Sequence, residues 1–186
     1  MKYITILFAL LAVGLTISAN AQTTQFTASA DAAQEIPAPT INPALPAPTA
    51  SFAATYVAGA PGMITVSGNF SLQNTYAAAH LHLGAPGTNG GVIVNLGTGV
   101  TSAGMTGTFS GTFPVPAANA ADLLNGNFYL NIHTDINPSG EIRGQLLPVP
   151  EPVPTMGEWG LMILGLIIII FGVVSIRKRS LSPAMG

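Results

Sequence analysis

Residues 128–146 read FYLNIHTDINPSGEIRGQL, and the fold is decided by how this stretch is read. Phe128 to Thr134 alternates between side-chain types, and Glu141 to Leu147 alternates again. Asp135-Ile136-Asn137-Pro138-Ser139-Gly140 between them is dense in turn formers, so the stretch predicts a β-hairpin. Strand side chains point to alternate faces, which puts Asn131 and His133 on one side and Leu130 and Ile132 on the other. Glu141, Arg143 and Gln145 stay together on the return strand in the same way. One face of the hairpin is therefore polar and the other apolar. In a chain with only 6% charged residues, the hairpin also holds Arg143, the one Lys or Arg between Lys2 and Arg177.

The same signals recur upstream. Gln25 to Ser29, Phe52 to Val57, Met63 to Leu72, Tyr76 to Leu83, Val92 to Leu96 and Met105 to Phe113 read as strands, separated by Gly- and Pro-rich turns such as Ala58-Gly59-Ala60-Pro61-Gly62. Pro37 to Pro48 contains five prolines and reads as a surface excursion, since proline removes a ladder donor. Ala117 to Leu124 carries helix formers, with Pro116 before it and Gly126 after it as start and stop signals. Such a short helix is unstable alone and needs Leu123 and Leu124 as anchors. Together these elements predict an all-β, antiparallel sandwich or barrel of roughly seven to nine strands over residues 25–147, with one short helix.

The two ends of the chain differ from this middle. Lys2, an apolar run from Ile4 to Ile17 and the small-x-small triplet Ala19-Asn20-Ala21 have the layout of a signal peptide over residues 1–21, cut by signal peptidase ahead of Gln22. With no cysteine, an exported domain over 22–147 must rest on apolar burial and backbone pairing. Its acidic balance, with Arg143 the sole cation, argues against a nucleic-acid partner. Residues 148–158 read as a proline-rich spacer. Trp159 to Ile176 is an unbroken apolar run of membrane length, and Arg177, Lys178 and Arg179 behind it are the charges that stop transfer and stay cytoplasmic, in a tail of residues 177–186.

Three groups of polar residues invite a chemical reading. His80 and His82 stand at i and i+2 of a strand, so their imidazoles share a face that His133 joins if its strand lies nearby. Three such histidines suit Zn²⁺ or Cu²⁺, with Asp135 or Glu141 completing the shell; the alternative is that they hydrogen-bond loops at one end of the fold. Glu141 and Arg143 suggest a substrate-carboxylate clamp or, more simply, an ion pair tying the strand to nearby loops. The glycine-rich run Gly84 to Gly91 reads as a ligand cradle or a long turn. No phosphate loop, Cys-x-x-Cys or nucleophile elbow is present in the sequence, and no enzyme is expected.

The order of these pieces resembles the CHRD (chordin-like) domain. The matching residues are Ala79-His80-Leu81-His82 with the loop through Gly91, Ala121-Asp122-Leu123-Leu124 with Gly126-Asn127, Tyr129 to Thr134, and Asn137 to Leu146. The resemblance implies an immunoglobulin-like β-sandwich with some likeness to copper-zinc superoxide dismutase, and no general activity. The tail resembles exosortase sorting signals. Val149-Pro150-Glu151-Pro152 is similar to the PEP-CTERM motif, and Val153-Pro154-Thr155-Met156 with Glu158-Trp159-Gly160 is more similar still to its IPTL-CTERM variant. That likeness implies an exosortase-type transpeptidase that cuts the tail and transfers the domain to an envelope polysaccharide or lipid acceptor. The sequence therefore suggests an exported protein, anchored by one transmembrane helix and later released to the cell surface, that serves as a non-enzymatic binding or matrix module. The alternative is a metal-binding protein or metal-dependent enzyme built on His80, His82 and His133.

Overall fold

The computed structural model of the chain describes residues 23–102, 104–151 and 156–180, without the side chains of Met156, Glu158 and residues 178–180. The leader expected over residues 1–21 and the motif residues Val153, Pro154 and Thr155 lie outside the described residues. The chain divides into two units, one ending at Val149 and the other beginning at Pro150.

In the first unit, alternation builds the core directly. β1 (Thr23–Asp31) buries Phe26, Ala28 and Ala30 while Thr23, Gln25, Thr27 and Ser29 face out. β2 (Thr49–Val57) buries Ala50, Phe52, Ala54 and Tyr56. β3 (Gly62–Ser71) and β7 (Thr106–Val115) follow the same rule, with Thr65 and Thr112 hydrogen-bonded at 2.9 Å on their outer face. Each fully buried Phe or Ile contributes roughly 1.5–3 kcal/mol. The remaining strands are β4 (Tyr76–Leu83), β5 (Val92–Asn95), β6 (Val100–Ser102), β8 (Phe128–Thr134) and β9 (Ile142–Pro148).

All nine strands hydrogen-bond into one antiparallel sheet in the order β5-β4-β8-β9-β1-β2-β3-β7-β6. The residues leave a sandwich or a barrel open and the family resemblance implies two packed sheets; instead β9 joins the two halves by pairing with β8 on one side and with β1 on the other, through Phe26↔Pro148, Thr27↔Leu147 and Asp31↔Arg143. The sheet curls so that its two halves share one core, and Phe70 of β3 stacks on Tyr76 of β4 with ring centroids 5.4 Å apart. Gly144 permits the close approach at the β9–β1 seam, because a Cβ there would stand 2.8 Å from the Ala30 Cα.

The helical segment also falls where the start and stop signals put it. A 3-10 turn over Ala117–Asn119 leads into α1 (Ala120–Leu124), with Leu123 wholly buried and Leu124 half-buried against the core. Gly126, at φ 74°, closes the helix, its N–H bonding Leu123 O. β9 continues through Pro148, and the Val149 N–H donates to Gln25 O, so the spacer begins later than residue 148.

The second unit holds α2 (Met156–Ser180). Within it Trp159–Arg177 has a mean hydropathy of 2.7 and no buried residue. Trp159 and Gly160 of the expected sorting motif are thus helical, as is the backbone of Met156 and Glu158. The helix carries Arg177 and the backbone of Lys178 and Arg179 at its C-terminal end.

Candidate functional site: a polar layer beneath a glycine-rich loop

On the polar face of β4, β8 and β9 the register aligns the chemically distinctive residues. His80 lies opposite Asn131, His82 opposite Tyr129, and Asn131 in turn opposite Arg143. This face is covered, since the loop 84–91 lies over it and every residue of β8 except His133 is buried. The sequence pattern shows the polarity of the face but not its cover.

Arg143 pins that cover in place. Only 2% exposed, it donates from Nη1 to Asn89 Oδ1 at 3.0 Å and from Nη2 to Thr88 O at 2.7 Å and Ala85 O at 3.3 Å. Tyr129 and Gln145 hold the loop's ends: the Tyr129 hydroxyl accepts from Gly90 N–H at 3.2 Å, and Gln145 Nε2 donates to Gly84 O at 3.0 Å. The space under the glycine-rich run is therefore filled by a guanidinium, which a cradle for a ligand would need open. A buried cation must find acceptors, and here it takes carbonyls and an aromatic face.

Glu141 serves a different neighbourhood. Its carboxylate, wholly buried, accepts from Gln73 N–H at 2.6 Å and Asn74 Nδ2 at 2.7 Å, orphan donors in the β3–β4 connection. The expected Glu141–Arg143 ion pair is replaced by these two separate sets of bonds, because each residue meets unpaired backbone groups closer to hand. Asp135 Oδ1 accepts from Thr75 and Ile136 N–H. Both acids named as completing a metal shell are thus occupied elsewhere.

The three histidines do converge. One ring nitrogen from each of His80, His82 and His133 lies within 4.8 Å of the other two. His82 Nδ1 donates to Gly90 O at 2.9 Å and His133 Nδ1 to Pro138 O at 3.0 Å, which fixes both as Nδ1–H tautomers with no proton on Nε2. His133 Nε2 meets His80 Nδ1 at 3.1 Å. His82 Nε2 is buried and has no partner. Burial, aided by neighbouring imidazoles and, for His82, by Arg143, holds all three below the ordinary pKa of 6.5. Each ring therefore favours its neutral form more than a free imidazole does.

A second pair of polar atoms has no signature in the sequence. Glu35 follows the 3-10 turn Ala32–Gln34 after β1 and is buried, with Oε1 accepting from its neighbour's amide at Ile36 and, at 3.5 Å, from Asn131 Nδ2. Its Oε2 and the Oδ1 of Asn131 are both buried acceptors without donors. Desolvation raises the Glu35 pKa above 4.5, against the opposing pull of Ile36 N–H and Arg143. The only signal available in the sequence was the scarcity of carboxylates in the domain.

A curled antiparallel sheet with an ordered polar layer defines a small β module, followed among the described residues by one apolar helix long enough to cross a membrane. The CHRD domain family model matches residues 26–146, and the chain belongs to that family. Comparison with curated proteins and with solved structures gives no match.

Proposed function

We propose that this protein is an exported CHRD module, tethered by its C-terminal helix and then freed by processing, that acts outside the cytoplasmic membrane as a non-enzymatic binding or structural element of the envelope. The observation that carries this reading is α2. Between Trp159 and Arg177 an apolar helix of membrane length has no buried residue, and a bilayer is a solvent that suits such a surface. The apolar leader and its Ala19-Asn20-Ala21 triplet support export, and the charges at Arg177, Lys178 and Arg179 support a domain held outside. A permanent anchor has no use for Pro154-Thr155 and Glu158-Trp159-Gly160 beside the span, which favours a sorting enzyme of the exosortase type acting near Thr155. The non-enzymatic role fits Arg143 and Glu141, whose polar atoms bind the protein's own loops.

Intact-mass analysis of protein recovered from the producing cell's envelope tests the reading. It should give a chain beginning near Gln22 and ending before Trp159. Replacing Pro154 and Thr155 with alanine should make the uncut form accumulate in the inner membrane. Wild-type protein that still carries residues 159–186 would remove the processing step.

A further inference from the structure

We propose that His80, His82 and His133 form a metal centre for a late first-row divalent ion, Zn²⁺ or Cu²⁺, with one coordination position open. This inference is independent of how the chain is sorted. Two nitrogens of a tetrahedral site with metal–nitrogen bonds of about 2.0–2.1 Å stand roughly 3.3 Å apart. His80 Nδ1 and His133 Nε2 already stand at 3.1 Å, joined by a hydrogen bond from His80 Nδ1–H, and the whole triangle closes within 4.8 Å, so a metal needs His80 to exchange to its Nε2–H tautomer and the side chains to move inward.

The outer hydrogen bonds are those a ligating histidine needs. A metal-bound imidazole presents one nitrogen to the ion and donates the other N–H to a carbonyl or carboxylate, which sets the tautomer and aims the ring. His82 and His133 do this through Gly90 O and Pro138 O, and the Tyr129 ring stacks on His82 at 5.0 Å and 14° from parallel. Their Nε2 atoms then have lone pairs and no proton. His82 Nε2 is the more informative of the two, because a buried acceptor without a donor costs free energy unless something occupies it. The reach from three strand positions on β4 and β8 holds the rings on rigid elements, and the half-buried His80 and His133 give an ion its way in.

Charge and donor type select the ion. Three neutral imidazoles without a carboxylate suit Zn²⁺ or Cu²⁺, whereas Mg²⁺ and Ca²⁺ require oxygen ligands. The bonds from Nδ1–H of His82 to Gly90 O and of His133 to Pro138 O leave Nε2 of both rings without a proton to displace. Asp135 and Glu141 are held by amide donors, leaving the fourth position to water or an outside ligand.

The test uses the full chain in detergent micelles, stripped with a chelator and reloaded with Zn²⁺ alone or Cu²⁺ alone. One equivalent should remain after desalting, Mg²⁺ and Ca²⁺ should not compete, and saturation at about a hundred times Kd should raise Tm by roughly 5–10 °C. A His80→Asn, His133→Asn double variant should lose affinity by more than the 10–100-fold typical of losing an outer hydrogen bond. X-ray absorption on the wild type, which needs no variant to fold, should count three imidazoles around the metal. Failure to retain either ion at one equivalent, a shell with fewer than three imidazoles, or unchanged affinity in a folded double variant would each overturn the proposal.

Discussion

The guanidinium carbon of Arg143 lies 3.6 Å from the centroid of the Tyr129 ring, across a diagonal of the β8–β9 ladder. From the other neighbouring strand His82 stacks on the same ring. An aromatic face thus does for this buried cation what a carboxylate does in an ion pair, and the guanidinium fork is left free to reach the loop carbonyls.

The loop should therefore depend on the fork and not on the charge alone. Lysine keeps the charge but offers a single point donor, which cannot serve Ala85 O, Thr88 O and Asn89 Oδ1 together or lie flat on a ring. Arg143→Lys should destabilise by about 2–4 kcal/mol, mostly from acceptors left unsatisfied. Urea unfolding gives the magnitude, and amide exchange should quicken at residues 84–91 before the rest of the sheet. An unchanged midpoint and unchanged loop exchange would show that the loop is held by its own turns.

Acid should weaken the metal-free domain through its histidines. Their folded pKa values lie below 6.5, so they contribute stability that is present above pH 6.5 and lost as pH falls through the folded values. With chelator present, urea midpoints should fall as pH is lowered from 6.5. A His80→Asn variant should show a shallower decline, since it removes one of the rings whose folded pKa is depressed. A flat profile below pH 6.5 would contradict the burial of the cluster.

Glu35 works in the opposite direction. Its folded pKa is raised above 4.5, so its contribution is fully present below pH 4.5 and is lost as pH rises through the folded value. Glu35→Gln abolishes that titration and places an amide donor beside the unpartnered Asn131 Oδ1. The variant should be more stable than the parent at neutral pH by about 0.5–1.5 kcal/mol, with the gain shrinking as pH falls. Comparing urea midpoints of the two proteins across pH checks the sign. A variant that loses stability at pH 7 would mean that the ionised carboxylate, drawn by Arg143, is the form the fold requires.

Alternation and turn chemistry made the strands legible. β4 runs from Tyr76 to Leu83 as its pattern says, and the first strand of the hairpin ends at Thr134 as read from the sequence. β6 escaped because Val100–Ser102 is too short to establish a period. The single sheet escaped for a different reason, since Thr27 and Leu147 carry no mark of their pairing and only chain-wide geometry brings them together. At the site, the i, i+2 spacing of His80 and His82 gave their common face, while the arrival of His133 depends on the β4–β8 register. Glu35 sits in irregular backbone where no periodicity points inward, and the acceptors of Arg143 are mostly main-chain carbonyls, which any sequence supplies.

The placement of β9 also sets a timetable for synthesis. Asp31 pairs with Arg143, a partner made 112 positions later (143 − 31). Until Ile142 and the residues after it exist, β1 and β8 each end in a row of unpaired amides and carbonyls, and the nascent chain consists of two half-sheets with adhesive borders. Closure belongs to the last strand of the domain, so assembly is governed by a long-range event and is slow for its size. A ribosome that stalls before Ile142 releases a product whose open borders match those of every other copy, and the hazard of such a truncation is co-aggregation more than loss of the missing residues.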